Sequence, residues 1–337
     1  MSEPQDDFEK KNTANKLTPA DKSIDAEAKT AEIGTDAGRA DTVTEEEKPL
    51  IADVSKDVAP AVEEFMAASA QQNEAAAEEI AAQANESEAV PYISFEHVSK
   101  AFGDFKVLQD VNFSVLPGET LCILGRSGVG KSVALQMLMG FLKSDAGAIR
   151  VAGEDISAYS EKQMQEIRKK VTMVFQNGAL FDSVTVGENV AFPLREKGEL
   201  DEEHMRQIVK GLLEMVGVAG MDDLLPSDLS TGMKRSVAIA RALASQPVAI
   251  LYDEPTTMVD PLMGHLLGNL IMRLKAQLHL TSIVVTHDMR LAEKLGDRIF
   301  FLHEGRAAFF GTVEEMRQSE DPTVKAFLSL DELVLPM

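Results

Sequence analysis

Hydrophobic and polar positions change rhythm abruptly at Tyr92. Upstream, apolar residues are scattered among Ala, Glu, Asp, Lys, Thr and Gln, and only Phe8 and Phe65 are aromatic. Downstream, short runs of β-branched and aromatic residues alternate with segments whose apolar positions recur every three or four residues, with Gly and Pro between them. The runs predict strands at 93–100, 107–115, 120–124, 148–151, 171–175, 248–253, 282–286 and 298–303. Helical spacing follows Lys131 and covers 202–215, 233–245, 263–277, 289–295, 313–319 and 323–328. Early strands crowd together and later ones alternate with helices, which predicts an α/β core carrying a small antiparallel β part. No internal repeat of 20–50 residues is present.

A segment as poor in apolar surface as residues 1–90 cannot offset the entropy of ordering, so it reads as an acidic extension that is disordered over 1–58. From Pro60 to about Asn85 the Ala/Glu-rich composition favours helix. Val62, Phe65 and Met66 form a short apolar stripe there, with Ile80 several turns on. The expectation is a solvated, partly helical linker; the alternative is a docking helix for a partner.

Charge sharpens this division. Residues 1–90 carry 22 acidic and 8 basic side chains, so 14 of the 22 net negative charges of the 337-residue chain lie there. Such a balance argues against nucleic acid as the main ligand, because phosphate backbones need a basic surface. No run reaches the roughly 18 apolar residues of a membrane-spanning helix. The acidic start Met1-Ser2-Glu3-Pro4 lacks a secretory core, and the cytosol is the expected compartment. The single cysteine permits no internal disulfide, and Cys122, inside Leu121-Cys122-Ile123-Leu124, reads as strand core.

The first chemical motif is Gly125-Arg126-Ser127-Gly128-Val129-Gly130-Lys131-Ser132, which fits G-x-x-x-x-G-K-[ST]. It follows an apolar run and opens a helical pattern beginning at Val133. Glycines let the backbone amides turn inward, and the helix N-terminus adds partial positive charge, so residues 125–133 are expected to cradle phosphates. Lys131 would reach the β/γ-phosphates, and the Ser132 hydroxyl would ligate Mg²⁺. About 120 residues on, Val248-Ala249-Ile250-Leu251-Tyr252-Asp253-Glu254 is an apolar strand ending in two carboxylates. Asp253 is placed to hold the Mg²⁺ shell, and Glu254 to orient and deprotonate an attacking water.

Three further features complete a pattern. Leu229-Ser230-Thr231-Gly232-Met233 precedes a helix bearing Lys234 and Arg235, Gln176 follows the strand at 171–175, and His287 follows Ile283-Val284-Val285-Thr286. In this order and spacing the chain resembles the ABC ATPase family across 92–320. The resemblance implies a P-loop NTPase core with an antiparallel β subdomain and an α-helical signature subdomain at about 178–245, the whole domain spanning 91–320, with a tail at 321–337. It also implies roles. Gln176 would sense Mg²⁺ and the γ-phosphate; Ser230 and Gly232 would grip the γ-phosphate of a partner's ATP. His287 would be the switch histidine, Asp260 the aspartate of the loop joining the two sites, and Phe102 the aromatic that stacks on adenine. One set of motifs per chain implies a second copy as partner.

The family signature usually reads L-S-G-G-Q, whereas Thr231 and Met233 stand here. Were the φ of Thr231 positive, strain of roughly 1–2 kcal/mol would follow. Met233, together with the stretch from Val174-Phe175-Gln176-Asn177-Gly178 through Phe192-Pro193-Leu194, resembles the Mla-type ATPases of phospholipid transporters, also called toluene-tolerance or MCE-associated ATPases. That resemblance implies an integral-membrane permease, an MCE-domain lipid-binding protein and a small STAS-domain subunit as partners. It places the chain at the cytoplasmic face of the inner membrane, with residues 177–195 receiving the permease. A motor for another cargo, such as an amino acid or a metal, is the competing expectation.

Overall fold

A computed structural model describes residues 49–82 and 89–333, all within one compact unit. After a 3-10 turn at Leu50–Asp53 comes α1 (Ala59–Ala82). The β part follows: β1 (Ile93–Phe102), β2 (Phe105–Val115) and β3 (Thr120–Leu124), then α2 (Lys131–Leu138), β4 (Ala146–Val151), the two-residue β5 (Glu154–Asp155), α3 (Glu161–Lys170) and β6 (Val171–Val174). A helical layer comprises α4 (Val186–Lys197), α5 (Glu202–Met215) and α6 (Thr231–Ala244). The chain closes through β7 (Ala249–Asp253), α7 (Pro261–Leu278), β8 (Thr281–Thr286), α8 (Met289–Leu295), β9 (Arg298–His303), β10 (Arg306–Thr312), α9 (Val313–Arg317) and α10 (Pro322–Leu333).

Two sheets result. One is antiparallel, in the order β2-β1-β4-β5; the other has six strands in the order β10-β9-β3-β8-β7-β6, parallel from β9 to β6 with β10 antiparallel at its edge. Every residue of β3, β7 and β8 is buried, as a parallel sheet covered on both faces requires. Alternation along β3 and β7 sorts side chains into two cores. Cys122, Leu124, Ile250 and Tyr252 enter the one shared with the helical layer, whereas Leu121, Ile123, Ala249 and Leu251 enter the one shared with the antiparallel sheet. This is the α/β architecture expected from the sequence, and it sets the strand ends carrying Gly125, Asp253 and His287 side by side.

Four elements were not anticipated. α3 buries only Met164 and Ile167 and is otherwise charged, so its periodicity is faint. α4 contains Pro193 in its interior, which reads as a breaker. Its capping box, Thr185 and Glu188 bonding each other's backbone, was the legible signal. β5 is two residues long, and β10 is an edge strand holding Gly311.

The extension departs most from expectation. Residues 1–48 and 83–88 lie outside the described residues, and with them most of the stretch read as disordered. Residues 49–58, included in that reading, are folded onto the cassette, with Leu50 and Val58 buried. The helix expected from 60 to 85 runs from Ala59 to Ala82, and it is docked rather than solvated. Val62, Phe65 and Met66 enter the helical-layer core, and Ile80 enters the other. Polar bonds fasten both ends of the seat. The Ser55 N–H and hydroxyl donate to the Glu214 carboxylate at 2.7 Å, and Lys210 pairs with Asp57 at 2.8 Å, both on α5. On α7, the Asn73 amide donates to the Leu278 carbonyl at 2.7 Å, and Arg273 donates to the carbonyls of Pro49 and Leu50. Gly211 on α5 lies directly under Val62: a Cβ there would meet the Val62 Cβ at 2.8 Å. Sequence reading found the stripe but not its seat, because the seat is built from residues about 150 to 220 positions away.

Candidate nucleotide-binding site

The phosphate loop runs between β3 and α2, and two of its glycines are required for two reasons. Gly125 and Gly130 adopt φ of 155° and 109°, and a Cβ would meet the Leu302 carbonyl oxygen at 2.5 Å in the first case and the Val107 and Leu108 side chains at 2.9 Å in the second. Lys131, 4% exposed, folds back over the loop. Its Nζ donates to the carbonyls of Gly125 (2.8 Å) and Arg126 (3.1 Å) and lies 3.3 Å from Glu254 Oε1.

The end of β7 completes the cluster. The Ser132 hydroxyl donates to Asp253 Oδ1 at 2.9 Å. Burial pushes the Asp253 carboxyl above its ordinary value, against the Ser132 hydrogen bond, and the Glu254 carboxylate pushes it the same way. Two hard oxygen donors this close, one a desolvated carboxylate, fit a small divalent cation that takes its other ligands from phosphate and water. Burial also works against the ionised Glu254, but the Thr257 hydroxyl, the Lys131 ammonium and His287 outweigh it, and its pKa lies below the usual carboxylate value. Thr257 Oγ1 donates to Glu254 Oε2 at 2.5 Å, and His287 Nδ1 stands 2.6 Å from the same oxygen. With Glu254 ionised, Nδ1 must carry the hydrogen and donate. Glu254 has φ of +50°, a left-handed backbone uncommon outside glycine, and its N–H donates to the Val285 carbonyl at 2.9 Å.

Lys131, Ser132, Asp253, Glu254 and His287 are thus brought together. The other candidates make no hydrogen bond with this cluster among the described residues. Gln176 is exposed in the turn after β6. Ser230 is the exposed N-cap of α6, its hydroxyl accepting from the Met233 N–H at 3.3 Å, and Gly232 packs against Met263. Asp260 caps α7 by accepting from the Met263 N–H at 3.0 Å. Phe102, 49% exposed at the end of β1, leaves its ring accessible, with the Lys100 ammonium 5.5 Å from the centroid. Thr231 is the first residue of α6 and does not have positive φ, so the strain considered for it is absent. Sequence reasoning passed over Thr257, a hydroxyl three residues beyond Glu254, and the buried contacts of Arg235.

Comparison with known proteins agrees with this geometry. The family described as ABC transporter matches residues 108–257. The intermembrane phospholipid transport system ATP-binding protein MlaF of Haemophilus influenzae is 41% identical over 226 residues, covering 67% of this chain and 86% of that protein. The Escherichia coli K12 protein of the same name is 35% identical over 236 residues, covering 70% and 88%. A probable ribonucleotide transport ATP-binding protein, mkl of Mycobacterium leprae, is 38% identical over 237 residues, covering 70% and 68%. Among solved structures, the ATP-binding cassette MJ0796, a dimer in a post-hydrolysis state bound to ADP and Pi, aligns with a TM-score of 0.62 at 31% identity, covering 66% of this chain and 98% of that one. The glycine cradle, the carboxylate pair and these relatives together place the chain in the ABC transporter family, as its ATP-binding, ATP-hydrolysing cassette.

Proposed function

We propose that the chain drives phospholipid transport through a membrane permease, by closing against a second copy of itself around two ATP molecules. One observation carries the pairing: Lys131 and His287 each meet the Glu254 carboxylate, at 3.3 and 2.6 Å, while Ser230, the residue assigned to grip the γ-phosphate, stands exposed with no bond to them. A site so divided is completed by the Ser230 and Gly232 of another chain, with Asp260 at the seam and Phe102 against the adenine. The amides of Gly125, Arg126, Ser127, Gly128, Val129, Gly130, Lys131, Ser132 and Val133 form the phosphate cradle. Lys131 exchanges its carbonyl partners for phosphate oxygens. Ser132 and Asp253, joined by Gln176, would hold Mg²⁺, which when bound offsets the charge on the transferring phosphoryl group. Glu254 takes a proton from water as its oxygen attacks the γ-phosphorus and ADP leaves. His287 holds the carboxylate at its Oε2.

The lipid cargo rests on the relatives named for intermembrane phospholipid transport. The mycobacterial relatives, named for ribonucleotide transport, favour a second reading with another solute. No helix among the described residues is long and apolar enough to cross a membrane, and the path is assigned to a separate permease. It would seat on the groove at 177–195, where Phe181 and Phe192 are exposed with ring centroids 5.1 Å apart and Arg241 lies over Phe181. The partners are then the permease, an MCE-domain lipid-binding protein and a STAS-domain subunit, at the cytoplasmic face of the inner membrane.

Purification of the full chain from membranes tests this. The expected companions are a permease and an MCE-domain protein, and ATPase activity disappears in Glu254→Gln, which accumulates as a closed dimer. A soluble solute-binding protein among the companions would redirect the cargo. A Glu254→Gln protein that light scattering shows to stay monomeric with saturating ATP and its permease would sink the pairing.

A further inference from the structure

Arg235 is the fifth residue of α6, about 7 Å along the axis from the Ser230 cap. It is 3% exposed, and its guanidinium reaches the turn that follows β7. Nη1 donates to the carbonyls of Glu254 (2.8 Å) and Pro255 (2.6 Å), and Nη2 donates to that of Thr257 (2.7 Å). Nε is buried with no hydrogen-bond partner, so the side chain forgoes one bond to aim both Nη atoms at this turn. The three carbonyls are met from two nitrogens held apart in one rigid planar fork, a spread that the single nitrogen of a lysine cannot span.

The residue so held is the one with left-handed backbone. A glutamate at φ +50° persists only where its surroundings over-determine it. Here the Val285 carbonyl takes its N–H and Arg235 takes its C=O, while Thr257, itself held by Arg235 at the carbonyl, fixes the carboxylate through its hydroxyl. Within this turn Arg235 is the described side chain that bonds both the backbone of Glu254 and that of Thr257. It also belongs to the same rigid helix as Ser230.

We propose that Arg235 is a positioning residue for Glu254, tying the helix that grips the partner chain's nucleotide to the carboxylate that primes water on this chain's own nucleotide. This rests on the assignment of Glu254 as the base and of Ser230 as the grip.

Steady-state ATP hydrolysis by the full-length chain, with ATP affinity measured separately by a fluorescent analogue, tests the link in Arg235→Met and Arg235→Lys. Misplacing a base by about 1 Å costs on the order of 100-fold, so kcat is expected to fall about 100-fold in the Met variant. KM and analogue affinity should stay within about twofold. Lys retains the charge but not the fork, so it should recover less than about a tenth of the lost rate; should the Met variant fail to fold, Lys carries the test alone. A Lys variant at wild-type kcat would overturn the proposal, as would kcat, affinity and melting temperature falling together. A Glu254→Gln variant that hydrolyses ATP at full rate would instead sink the underlying assignment of the base.

Discussion

Gly211 offers a test of how α1 seats on α5. It lies inside α5, where alanine is ordinarily favoured over glycine by roughly 0.5–1 kcal/mol. Here the added methyl would come to 2.8 Å from the Val62 Cβ and 3.0 Å from its Cγ1, and α1 is fixed by bonds on either side of Val62, so it cannot simply back away. Overpacking of this kind costs about 1–3 kcal/mol. Gly211→Ala is therefore expected to destabilise by about 1–2 kcal/mol net, or about 2–4 °C per kcal/mol for a domain of this size. In a Val62→Gly background the obstructing atoms are gone and the same substitution becomes stabilising by up to about 1 kcal/mol. Thermal denaturation of the four proteins of the cycle, at one protein concentration and without nucleotide, reads the sign. An alanine that stabilises the otherwise native chain would mean that Val62 does not press on α5, and the docking of the extension would be refuted.

Glu254 titrates below the ordinary carboxylate value, and its partners Thr257, Lys131 and His287 stabilise the fold above that ordinary value and lose their effect as pH falls through the lowered one. His287→Ala removes one of them, so the acid limb of the kcat–pH profile should move to higher pH; an unmoved limb would show that His287 does not bear on Glu254 ionisation. Thr231→Gly relieves no strain, because Thr231 is ordinary helix, so ATPase activity should stay within about twofold while stability falls by up to about 1 kcal/mol. A large rescue of rate would contradict that geometry. Cys122 is fully buried, and burial pushes its thiol up to about 12, so a thiol reagent at neutral pH should label it only after denaturation. Stoichiometric labelling of the native protein would show that β3 opens.

The site was legible wherever a local backbone requirement writes itself as a residue type. The cradle needs Gly125 and Gly130, the strand end needs Asp253 and Glu254, and all four could be placed from sequence because the apolar runs before them are short and bounded. The bounds of β3 and β9 were legible for the same reason. What was hidden depends on distant partners. Arg235 is one basic residue in a helix beginning Thr231-Gly232-Met233-Lys234, and nothing nearby marks it as the one that turns inward onto carbonyls about 20 positions later. α4 was hidden by Pro193, which helical periodicity cannot absorb. The seat of α1 was hidden because Val62 and Gly211 announce each other only once folded.

That seat has a consequence for synthesis. α1 leaves the ribosome well before its seat, for Gly211 under Val62 follows about 150 positions later and Leu278, which accepts from Asn73, about two hundred positions later. At roughly 5–20 residues per second the nascent helix waits about 7–30 s with Val62 uncovered before Gly211 is made. During that interval its abundant glutamates, Glu63, Glu64, Glu74, Glu78 and Glu79, keep an otherwise sticky segment dissolved until the cassette arrives to cover it.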